Sequence, residues 1–399
     1  MAKQDRSTIL ANPGELDPAF ADKGIYPVLG YAGSIRSIAA DAQGRLTLAV
    51  WTSTVIVLSR IFANGTLDSQ FGQNGFTTWA FAPETDSVPM GLMVQPDGKL
   101  LLFGVVGNDP GRRKPVLTRF NENGSPDLVF GNKILPGTDT IVELSGCLQA
   151  DGKILLLVSS SVKTGDKKTV LYRLLPDGDF DLEFGGQGFI DVRFDDQLSQ
   201  GQAVAISADG KILVGGNVER KDPDQLSAAV ARYFPDGRLD PSFGRSGMWE
   251  SEKDRTIHNM IVDQDGVTGV GHYLLAGEGY VASISRLTPD GACSPTFNKG
   301  KSLNIDVPAD VPRYFVSCKS VLVQSDKSIV VGGWVGFETW AFWLRILPDG
   351  TPDPAFGSQG IVVHDRPSLL YNLHLQNDKQ RVLAAVVDTR RPYVLGIRL

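Results

Sequence analysis

Five polar side chains stand at matched places along the chain and differ from one another: Arg36, Gln202, His258, Lys319 and Tyr371. Each lies eight residues before a recurring turn position, and Met90 and Leu144 hold the same place in two further copies. Two cations, an amide, an imidazole and a phenol on one ring would read a single asymmetric ligand by charge and hydrogen bonding. The adjoining column is small or polar: Ser37, Gly91, Ser145, Ala203, Asn259, Ser320 and Asn372. His258 and His272 fall at neighbouring strand ends, where a histidine pair with Asp254 or Asp365 would suit a metal or acid–base site. Trp334, Trp340 and Trp343 crowd one repeat and would suit sugar stacking, although core packing is expected for at least two. Asp177, Asp179 and Asp181 alternate like the start of a calcium loop. They lack its sixth-position glycine and closing glutamate, so an Asx-type turn is expected. No nucleophile elbow, zinc-protease helix, phosphate loop or dinucleotide fingerprint occurs. Neither a catalytic set, a resident metal nor a cofactor is therefore assigned. The ligand-binding set is Arg36, Gln202, His258, Lys319 and Tyr371 with His272, Trp334 and Trp340.

The elements that position these residues follow from a repeat. A short phrase recurs as Leu67-Asp68-Ser69-Gln70-Phe71-Gly72, Leu239-Asp240-Pro241-Ser242-Phe243-Gly244 and Pro352-Asp353-Pro354-Ala355-Phe356-Gly357. Its phenylalanines, Phe20, Phe71, Phe130, Phe184, Phe243, Phe297 and Phe356, lie 51 to 59 residues apart. A second turn falls mid-repeat, as in Gln95-Pro96-Asp97-Gly98-Lys99. An Asp-Gly step between apolar runs marks a hairpin, because glycine accepts the positive φ of a tight turn. Four short strands per unit and almost no helical period predict blades of an all-β propeller. Seven phrases predict seven four-stranded antiparallel blades in one domain over residues 1–399, with 1–11 a flexible lead-in. The last unit stops after its third strand, at Tyr393 to Leu399, and the missing strand, near Ile25 to Leu29, sits at the N-terminus. The first strand is therefore expected to complete the last blade.

Repeated columns read as scaffold. Arg60, Arg119, Arg173, Arg232, Arg286, Arg345 and, at the terminus, Arg398 are expected to pair with Asp17, Asp68, Asp127, Asp181, Asp240 and Asp353. Ser294 breaks the acidic column. The phenylalanines read as plugs between blades.

Composition narrows the partners. The 399 residues carry a formal charge of −6. That balance lacks the basic face needed for nucleic acid or an anionic membrane. No run of eighteen apolar residues predicts a membrane span. Three scattered cysteines, Cys147, Cys293 and Cys318, suit free thiols rather than a disulfide framework. The start, Met1 to Ser7, leads into no apolar signal segment, so a cytoplasmic monomer is the default, with export lacking a cleaved signal left open.

The phrase Leu-Asp-Pro-x-Phe-Gly with Gln-x-Asp-Gly-Lys-Ile-Leu resembles the delta-60 repeat family from about Gly14 to Leu399. Ala21 and Asn298 depart from its corner glycine, and Lys327 and Lys379 from its hairpin glycine. The resemblance implies a propeller-type repeat architecture, often in bacterial surface or exported proteins, and brings no reaction. In a meander, loops alternate between faces, so the near-invariant turns share one face. The other face holds the variable loops, including 107–115, 163–168, 219–225, 310–315 and 336–338. Loops on a rigid scaffold are where binding resides. The expected function is a non-enzymatic scaffold that recognises a protein or surface glycan through that variable face. The alternative is a lactonase-like hydrolase or lyase with a metal at the channel mouth.

Overall fold

The computed structural model describes residues 11–28, 30–53, 55–137, 140–161, 167–194, 198–219, 226–307, 315–336, 339–376 and 380–399. Residues 1–10 of the expected lead-in, Leu29, Lys379 and most of the variable loops at 163–168, 219–225, 310–315 and 336–338 lie outside them.

Short β-branched and leucine-rich runs form the middle strands of each blade. Ile212–Glu219 and Leu226–Tyr233 are buried almost end to end rather than on alternate residues. A strand reads this way when both faces of its sheet are covered. The covering is supplied by neighbouring blades, since each apolar core joins residues of two adjacent sheets. One core joins Leu101 and Leu117 with Leu156 and Tyr172.

Seven four-stranded antiparallel sheets result, a seven-bladed β-propeller with 3-10 turns only at Pro110–Arg112 and Asn298–Gly300 among the described residues. Six blades take their strands in chain order, as in Ser34–Ala40, Leu46–Trp51, Ile56–Ile61 and Phe76–Trp79. The seventh is a composite. Leu369–Gln376, Arg381–Asp388 and Arg391–Arg398 are completed by Ile25–Pro27, which pairs Ile25 with Leu395 and Pro27 with Tyr393. Closure covers an open sheet edge. It is reinforced where Trp343 Nε1 donates to the Gly14 carbonyl at 2.9 Å.

The repeated columns tie blade to blade. Arg119 Nε donates to Asp127 at 2.9 Å in its own blade, while Nη1 donates to the Pro176 carbonyl of the next at 2.7 Å. Arg60, Arg173 and Arg232 repeat the arrangement. Each guanidinium also lies over the plug ring, as Arg173 does over Phe184 at 4.5 Å. At the corner, the Gly72 N–H donates to the Asn123 carbonyl of the next blade. Ala21 and Asn298 keep that bond by adopting φ of 46° and 43°.

Two members of the arginine column differ from expectation. Arg286, facing Ser294, turns to Asp263 at 3.2 Å instead. Arg398 is not the seventh member. The aspartate N–H that elsewhere donates to the column arginine carbonyl, as Asp68 does to Arg60, here runs from Asp17 to Gly396. Gly396 therefore holds the position. The charge comes from the facing strand, where Arg381 Nε donates to Asp17 at 2.6 Å. Lysines fill the equivalent place in other blades, as Lys153 does beside Asp181 at 3.0 Å.

Candidate functional site

The innermost strands enclose a cavity of about 500 Å³ at the propeller axis. Its wall includes Arg36, Met90, Gln202, His258, Lys319 and Tyr371, so six of the seven members of the non-repeating column converge there. A local distortion puts them in place. The pairing register slips between Ile35 and Ser37, Pro89 and Gly91, Gly201 and Ala203, Cys318 and Ser320, and Leu370 and Asn372. The skipped residues are Arg36, Met90, Gln202, Lys319 and Tyr371. A β-bulge leaves one residue unpaired and re-aims its side chain. In the fifth blade His258 is the extra residue, its N–H donating to the Val270 carbonyl while Asn259 pairs with Val270.

The adjoining small column is a second blade-to-blade clasp. Ser37 Oγ accepts from the Leu92 N–H at 3.1 Å, and Ser320 Oγ from the Leu373 N–H at 3.1 Å. Asn259 Nδ2 donates to the Lys319 carbonyl at 2.8 Å.

One blade breaks the pattern. In the third, the slip lies between Ile141 and Glu143, two residues earlier, so Leu144 pairs with Val158. Leu144 thereby turns into the core between blades, 3% exposed. Glu143, of the same strand parity as the channel-lining Ser145, joins the cavity wall. The sequence reading passed over this carboxylate. Burial pushes its pKa up to about 7, while the Lys319 ammonium pulls the other way.

Arg36 is held by stacking. Its guanidinium lies 4.7 Å from the Tyr371 ring centroid and 5.1 Å from that of Trp51. Its Nε is buried without a hydrogen-bond partner.

His258 and His272 do meet, with ring centroids 4.8 Å apart, and His272 lies edge-on to Tyr280 at 4.7 Å. Burial pushes their pKa values down to about 3 and about 4, helped by the Lys319 charge, and His258 is lowered further by His272. Both imidazoles are neutral at physiological pH. Among the described residues the pair gains no carboxylate. Asp365 lies beside His364 at 3.6 Å in another blade, and Thr256 Oγ1 is the neighbour of His258 Nε2 at 3.3 Å. Among the described residues no group of three His, Cys, Asp or Glu side chains could hold a metal ion.

The tryptophans form no common platform. Trp334 pairs with Ala341, and Trp340 with Val335. Because directly paired residues share a face and successive ones alternate, Trp334 and Trp340 point to opposite faces of their blade. Neither lines the axial cavity. The aspartate run is also a turn: Asp177 Oδ1 accepts from the Asp179 N–H at 3.1 Å, and Asp181 is occupied by Arg173.

Comparison with known proteins agrees with this architecture. Residues 95–130, 149–184, 207–243 and 324–356 match the family described as domain of unknown function DUF5122, beta-propeller. This is a β-propeller repeat protein. No curated protein matches the chain. Among solved structures, virginiamycin B lyase from Staphylococcus aureus aligns with a TM-score of 0.58 at 11% identity, covering 94% of this chain and 98% of that one. A streptogramin B lyase aligns with a TM-score of 0.52 at 12% identity, covering 94% and 97%. The Drosophila semaphorin 1a extracellular domains 1–2 align at 0.50 and 11%, covering 94% and 87%. At such identities the likeness is one of fold, and one fold hosts unrelated functions.

Proposed function

We propose that this propeller, of the delta-60 repeat type, is a recognition module that takes a group of a protein or surface glycan into the variable mouth of its axial channel. One observation carries the reading. Around the ring, the side chains that differ from blade to blade are those aimed into a single cavity, whereas the repeated ones clasp neighbouring blades. Seven unlike walls can match one asymmetric ligand; seven like walls cannot. The free thiols suit a cytoplasmic setting. Screening the protein on a glycan array and a peptide library, beside Gln202→Ala and Tyr371→Ala, tests the reading. Ligands lost from both variants support it. Ligands that bind both variants as they bind the parent move recognition off the channel.

Glu143 favours a second reading, a hydrolase or lyase. A channel carboxyl half-protonated near neutrality suits proton transfer. Turnover of a panel of lactones that disappears in Glu143→Gln would move the assignment to an enzyme.

A further inference from the structure

We infer that the channel takes a carboxylate, with the Arg36 guanidinium as its direct partner and the Lys319 ammonium as a second, longer-range counter-charge. The inference rests on the channel being the binding site and adds the chemistry of the ligand. Arginines of the repeated column spend their forks on aspartates and carbonyls of the scaffold. Arg36 does not. Among the described residues it has no salt bridge, its Nε is buried without a partner, and its contacts are the ring faces of Trp51 and Tyr371. A guanidinium held by aromatic faces keeps its plane fixed and its N–H edge free, which matches the planar fork of a carboxylate.

The charges around it set the valence. Lys319 also makes no salt bridge among the described residues, and Asn259 fixes its backbone. Glu143 on the same wall, in its ionised form, offsets one positive charge. Two cations against one acid leave room for a monoanion rather than a phosphate dianion. Gln202, Asn259 and Asn372 supply amide groups for the rest of the ligand, and about 500 Å³ admits a body of sugar or amino-acid size.

Titration calorimetry with glucuronate, N-acetylglycine, glucose and inorganic phosphate tests this, the first two separating a sugar from a peptide source of the carboxylate. Saturable binding of one or both carboxylates, and at least about tenfold weaker binding of glucose and phosphate, is expected. Arg36→Met, which keeps length and loses charge, should weaken the bound carboxylate by about tenfold or more, with Arg36→Lys falling between. Unchanged thermal midpoints would show that the variants fold. Equal binding of glucose, undiminished binding by Arg36→Met, or no saturable binding of either carboxylate overturns the assignment. An array ligand that survives Arg36→Met but is lost from Gln202→Ala would keep the channel as the site and reject the carboxylate. Array ligands indifferent to both substitutions would reject the channel itself.

Discussion

Glu143→Gln should stabilise the protein in a pH-dependent way. The native carboxyl titrates at about 7 against its ordinary 4.5, because the folded channel disfavours the charge. Below pH 4.5 the acid is neutral in both folded and unfolded chains, and the amide, similar in shape, should change little. Between 4.5 and about 7 the unfolded chain has lost this proton and the native one keeps it. Stability of the parent therefore falls as pH rises, by about 1.4 kcal/mol per pH unit. Across that window the sum reaches about 3 kcal/mol, all of it present above pH 7. His258 and His272 act in the opposite sense. Their lowered pKa values mean that stability is lost as pH falls below the ordinary 6.5, until about 3 and about 4. Comparing parent with variant at each pH cancels those histidine contributions, since both proteins carry them. Urea denaturation midpoints from pH 4 to pH 8 are the assay. A gap that opens with pH is expected; a gap of constant size, or one that closes as pH rises, would refute the argument. Lys319→Met should push the Glu143 titration higher still, which a carboxyl-carbon NMR titration would follow.

Asp240→Ala should be among the most damaging substitutions, because it removes the buried carboxylate that Arg232 and Lys211 share. Stripping one partner from a buried pair costs about 3–5 kcal/mol, readable as a lowered urea midpoint. Asp127, Asp181 and Asp240 all titrate below the ordinary 3.8. The stability they contribute is present above 3.8 and lost as pH falls through their native values, so circular dichroism should record acid unfolding below that point. Phe184→Ala should cost about 3–5 kcal/mol by emptying a fully buried plug. Deleting residues 1–27 should expose the Tyr393–Leu395 edge and raise the apparent mass of the protein in light scattering through added edge-to-edge association.

Much of the channel could be read from one column of letters. Counting back from the hairpin turn located Arg36, Gln202, His258, Lys319 and Tyr371, because the turn and the bulge keep a constant separation in their blades. The count failed in the third blade. There the extra residue sits at Val142, and a two-residue move of the bulge exchanges Leu144 for Glu143 at the inner wall. Spacing carries no trace of such a move. The tryptophans failed for a different reason: nearness in sequence said nothing about which face each ring takes.

Blade number, ring closure and the division between repeated and divergent columns were determined by the sequence alone. They depend on local turn chemistry and on periodic burial, which repetition writes seven times over. Tertiary structure alone decided which charges stay unpaired. Arg381 serves Asp17 although Arg398 is nearer to the repeated place, and Arg36 finds aromatic faces rather than an acid. Pairing depends on which strands come together across a blade and around the ring, and a residue's own neighbours in the chain do not specify that.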